Sequence, residues 1–92
     1  MPRELLFPLG KTVATPGALQ LLQSNGVNPG ELLMRHQLGD WGIVSKEDQL
    51  ENELSLKEGF RILSAYQVGT EKVWVITEAD RSSTCILLPS EY

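Results

Sequence analysis

The residues best suited to chemistry are His36 and Asp40, four positions apart, with Arg61, Thr77, Arg81 and Thr84 further along the chain. Metal-independent RNA cleavage needs a base for the 2'-hydroxyl, an acid for the leaving oxygen, and cationic or hydroxyl donors where charge gathers on the phosphate. In that reading His36 serves as base or acid, Asp40 orients it, and Arg61, Arg81, Thr77 and Thr84 bind phosphate. The same residues also have a structural reading. A histidine at a helix end bonds to free carbonyls, an aspartate closes an Asx turn, and Trp41 plugs a gap in a small core.

The stretch Arg35-His36-Gln37-Leu38-Gly39-Asp40-Trp41-Gly42 holds the only histidine of the chain. Two glycines flank Asp40-Trp41, which marks a shaped loop after a helix. What precedes it is written in helix punctuation. Thr15-Pro16 predicts a helix to about Ser24, stopped by Asn25-Gly26, with Ala18, Leu19, Leu21 and Leu22 as its buried face. Asn28-Pro29 repeats the grammar and predicts a second helix to Gln37 or Leu38, with Leu32, Leu33 and His36 at helical spacing. Ser45 and Asp48 open a third, polar helix over Lys46 to Glu58, anchored by Leu50, Leu54 and Leu56. Its acidic residues read as a solvated face.

After Gly59 the chain changes character. Phe60 to Val68, Lys72 to Ala79 and Ser83 to Leu88 are rich in β-branched and aromatic residues and are separated by turn-like triplets. They predict a three-stranded antiparallel meander roofed by the two to three preceding helices, an α+β domain spanning residues 1–92. Lys11 to Ala14 suits a short extra edge strand at the N-terminal end.

Composition narrows the function classes. The chain has 92 residues, enough for one compact core, and a formal net charge of −4 that opposes general binding of polyanions. No apolar run approaches a membrane span, and Met1-Pro2-Arg3-Glu4 leads into too short a run for a signal peptide, so a cytoplasmic protein without membrane partners is expected. One Cys and one His cannot build a Cys/His zinc centre, so neither metal nor cofactor is expected. Cys85, within Cys85-Ile86-Leu87-Leu88, reads as a buried thiol.

Four segments carry a family resemblance. They are Leu9-Gly10 with Val13-Ala14-Thr15-Pro16-Gly17-Ala18; the Arg35 to Gly42 stretch; Glu51-Asn52-Glu53 through Arg61-Ile62-Leu63-Ser64-Ala65-Tyr66; and Trp74-Val75-Ile76-Thr77-Glu78-Ala79-Asp80-Arg81 with Leu87-Leu88-Pro89-Ser90-Glu91-Tyr92. Over nearly its whole length the chain resembles a group of small bacterial proteins carried on plasmids, integrative elements and phages. Members of that group are sometimes labelled restriction enzyme M subunits. A methyltransferase needs a glycine-rich strand-to-helix loop for its adenosyl cofactor, and this chain has none. The resemblance implies a mobile-element setting.

Two function classes follow. The first is a binding or regulatory module that pairs with a protein partner or its own copy, through an exposed strand at Lys11 to Ala14 or Ser83 to Leu88, or through Trp41, Trp74 or Tyr66 as an aromatic anchor. The alternative is the toxin-type ribonuclease built on His36 and Asp40, with RNA as partner.

Overall fold

The computed structural model describes residues 4–92, so the Met1-Pro2-Arg3 opening lies outside the described residues. Strand β1 spans Lys11–Ala14, followed by helices α1 (Pro16–Ser24), α2 (Pro29–Gln37) and α3 (Lys46–Glu58), then strands β2 (Ile62–Val68), β3 (Glu71–Thr77) and β4 (Ser83–Leu87). Each helix starts where a side chain can take up a free amide. The Thr15 hydroxyl accepts from Ala18 N at 3.2 Å, the Asn28 carboxamide from Gly30 N at 2.8 Å, and the Ser45 hydroxyl from Asp48 N at 3.1 Å.

The α+β class holds, but the sheet differs from a three-stranded antiparallel meander. It is mixed, has four strands in the order β1-β4-β3-β2, and begins in the chain before the helices. Strands β2, β3 and β4 pair antiparallel, while β1 lies parallel to β4 with Val13 opposite Cys85. The physical reason is the route of the chain. A parallel neighbour needs a long crossover, and here all three helices and two strands lie between the paired segments, so no local turn specifies the contact. One consequence is that Ser83 to Leu88 is not an edge; β4 is enclosed between β1 and β3.

Alternation along the strands sends Ile62, Ser64, Tyr66 and Val68 of β2, Val73, Val75 and Thr77 of β3, and Thr84 and Ile86 of β4 to one buried face. Ala18 and Leu22 of α1 and Leu32 of α2 pack there with Tyr66, Val68, Val73, Val75 and Ile86. A second cluster joins Phe7, Trp41 and Ile62. His36 stands beside this cluster, edge-on to both Phe7 and Trp41, with ring centroids 5.1 and 6.0 Å away.

Helix α3 departs from expectation in part. Leu56 does pack against the Phe7, Trp41 and Ile62 cluster, but Leu50 is 60% exposed and Leu54 46%, and the side chains fully buried are Asn52 and Ser55. An edge strand explains this, because what the outer side of β2 presents to α3 is a row of backbone amides and carbonyls, which polar groups satisfy and leucines do not. Asn52 Oδ1 accepts from Leu63 N at 3.0 Å and Asn52 Nδ2 donates to Leu63 O at 2.7 Å. One carboxamide thus replaces a neighbouring strand at that residue.

Candidate functional site

Three elements converge on His36. Its position in the last turn of α2 aims the ring at the sheet, and the register of β3 and β4 sets Thr77 directly opposite Thr84. Ser64 of β2 supplies a third hydroxyl. His36 Nδ1 lies 2.5 Å from Ser64 Oγ and Nε2 lies 2.9 Å from Thr77 Oγ1. Thr77 Oγ1 is 2.7 Å from Thr84 Oγ1, which donates to the Leu9 carbonyl at 2.8 Å.

Proton bookkeeping along this row has one solution. The single Thr84 proton goes to Leu9 O, so Thr84 accepts from Thr77. With its own proton committed, Thr77 accepts from His36 Nε2–H. Nδ1 is therefore the acceptor and Ser64 donates to it. The imidazole is neutral and both nitrogens are occupied. Burial pushes its pKa down to about 3, helped by the positive charge of Arg81.

His36, Thr77 and Thr84 do meet, but each has no exposed surface. Asp40 does not orient His36; its carboxylate pairs with Arg35 Nε at 2.7 Å, and its backbone carbonyl accepts from the Tyr66 hydroxyl at 2.6 Å. Arg81 spreads its guanidinium over four carbonyls, those of Phe60 at 2.7 Å, Glu78 at 3.1 Å, Ala79 at 3.0 Å and Ser55 at 2.9 Å. It clasps the end of α3 to the corner between β3 and β4. Arg61 stands apart, bonded to the Tyr92 hydroxyl at 2.6 Å. Trp41 is buried against Phe7, and Tyr66 is buried too, while Trp74 is half-buried against Tyr92. These aromatic rings serve packing. Cys85 is half-buried, on the sheet face away from the helices; burial raises its thiol pKa, with the Glu91 and Glu78 charges adding. Among the described residues, no group of three His, Cys, Asp or Glu side chains is placed to hold a metal ion, and no helix is long and apolar enough to cross a membrane.

With the hydroxyl row enclosed, one accessible polar feature of the sheet is the outer edge of β1. Lys11 N donates to Ser82 O at 3.0 Å and Thr15 N to Ile86 O at 2.9 Å, so these residues turn their backbone groups toward β4. By alternation Thr12 and Ala14 turn theirs outward. Lys11, Thr12 and Val13 are exposed. Beside this edge a groove of about 240 Å³ is lined by Thr12, Val13, Ala14, Leu19, Pro29 and Leu33, among others. Leu19 and Val13 are each 45% exposed. Strand backbone that is unpaired among the described residues, next to apolar side chains, is the arrangement that receives an added strand.

No protein-family model matches the chain, and comparison with curated proteins and with solved structures gives no significant match.

Proposed function

We propose that this protein is a small binding module that takes an extended protein segment along the outer edge of β1. The observation that carries the reading is the pair of outward backbone positions, Thr12 and Ala14, beside the groove formed by Leu19, Pro29 and Leu33. Main-chain bonds to Thr12 and Ala14 would supply affinity, and a side chain seated in the groove would supply selectivity. The resemblance to proteins of plasmids, integrative elements and phages supports a regulatory role of this kind, since a chain of this size can act on another protein by binding alone.

What weighs against RNA cleavage by His36 and Asp40 is access and proton affinity together. A ring with both nitrogens bonded and a pKa of about 3 is a weak base, and it is sealed from solvent.

The test is selection from a displayed library of extended peptides, followed by titration of a selected peptide into isotopically labelled protein. Amide shifts should centre on Thr12 and Ala14 and vanish in Thr12→Pro, which removes an outward N–H without touching the bonds to β4. Shifts centred elsewhere, or binding unchanged in Thr12→Pro, would overturn the reading.

A further inference from the structure

The partner that the β1 edge fits most closely is its own copy, and we infer that the protein self-associates by antiparallel pairing of two β1 strands about a two-fold axis at Val13. This rests on the strand-accepting reading above and names its occupant.

The geometry follows from the outward positions. Set antiparallel, Thr12 of one copy faces Ala14 of the other, and each such pair exchanges both N–H···O=C bonds. The arrangement is isologous, so the same bonds form on both sides of the axis. Val13 then faces the partner's Val13 as a non-hydrogen-bonded pair, with Cα atoms about 4.5 Å apart. Because opposed side chains in antiparallel strands project to the same side of the sheet, the helical layers of the two copies also share one side. Leu19 and Leu33 of each copy come to the seam, which covers the groove beside the edge.

Charge complementarity favours this occupant. In the same register Lys11 lies opposite the partner's Thr15. The Thr15 hydroxyl donates to Glu91 Oε1 at 2.5 Å, and Leu88 N holds that same oxygen at 2.9 Å, so a fixed carboxylate stands at this end of β1. Lys11, opposite Ser83 in the ladder, projects to the Cys85 face, and Glu91 is near enough to Cys85 to act on its thiol. Each Lys11 ammonium therefore meets the Glu91 carboxylate of the other copy, twice over by symmetry. A parallel pairing would not bring the two charges together.

Sedimentation of the full chain at millimolar concentration is expected to give twice the mass of a single chain, with the dimer weakening as salt is raised. Thr12→Pro should return it to monomer. Val13→Lys, which sets two cations face to face at the axis and alters only an exposed side chain, should do the same with its melting temperature retained. Val13→Cys should form an intermolecular disulfide under mild oxidation, and Cys85→Ser should not prevent it. A wild-type monomer at that concentration overturns the inference. If selected peptides still shift Thr12 and Ala14 in that monomer, only the identity of the partner is wrong; if they do not, the strand-accepting reading falls too. A dimer indifferent to both Thr12→Pro and Val13→Lys overturns the β1 geometry.

Discussion

Along β2, the Asn52 carboxamide takes both backbone groups of Leu63, and the loop at Trp41 to Ile43 takes both of Ala65, through Ala65 N to Trp41 O at 3.0 Å and Ile43 N to Ala65 O at 2.7 Å. Along β1, the outward groups of Thr12 and Ala14 meet no such substitute strand among the described residues. The difference teaches that closing an edge takes dedicated machinery. At β2 it draws in a whole helix and the loop built around Gly42, which bridges to Ala65. Among the described residues that machinery stands on one side of the sheet and not on the other, and this asymmetry is what the proposed pairing at β1 rests on.

The hydroxyl row from Ser64 on β2 to Leu9, just before β1, ties the two sides together, so its loss should bring the largest change. His36 takes up a proton near pH 6.5 in the unfolded chain and only near pH 3 in the folded one. Between these values the unfolded state binds more protons, so stability is full above pH 6.5 and falls as the pH drops toward 3. Across that window the loss is on the order of 5 kcal/mol. Urea unfolding between pH 7 and pH 4 should record most of it, and His36→Gln, which does not titrate, should flatten the curve. An equally steep curve in the variant would separate the row from the stability of either edge.

Gly42→Ala should come next, at about 3 kcal/mol or more. The residue has φ 76°, and an added Cβ would run into the Ala65 carbonyl and the Tyr66 ring. Hydrogen exchange at Ile43 and Ala65 should accelerate together; protection kept at both would show that the loop is not what closes β2. Asn52→Ala should cost about 2 kcal/mol through the two Leu63 groups left without a partner. Asn52→Asp is the sharper probe, since a carboxylate accepts from Leu63 N but cannot donate to Leu63 O. A stability equal to wild type would mean that water serves this edge as well as the helix does. Thr12→Pro, at the open edge, should alter the unfolding free energy by less than about 1 kcal/mol, because the N–H it removes bonds to nothing among the described residues. A larger loss would mean that β1 is closed in a way the contrast does not allow.

Helix boundaries were legible because their determinants are adjacent in sequence. Thr15, Asn28 and Ser45 cap the helix starts that follow them, and Gly59, at φ 78°, ends α3. The β1 to β4 pairing was not, because a polar four-residue strand gains its place from Ile86 and Ser82, some seventy residues away. The hydroxyl row was half legible. Period-two alternation through Ile62, Ser64, Tyr66 and Val68, and through Val73, Val75 and Thr77, already puts Ser64 and Thr77 on the apolar side. Thr77 and Thr84 carry hydroxyls suited to phosphate, but the alternation outweighs that chemistry and both lie buried. Asn52 was missed because the hydrophobic pattern of α3 invites leucine anchors, and nothing local tells a helix facing a core from one facing a strand edge.

Arg81 is the non-glycine residue that the described chain holds at positive φ, 60°. A side chain there carries a backbone cost of about 1 kcal/mol that glycine would avoid. Yet the planar fork that answers four carbonyls at once belongs to this side chain, and a lysine, with one compact head, could not reach them all. The position therefore resists both of its obvious replacements for opposite reasons: glycine eases the bend and lets the corner drift from the helix, while lysine keeps the charge and drops the grip. An arginine that looks like a ligand-binding cation is, in this protein, a rivet.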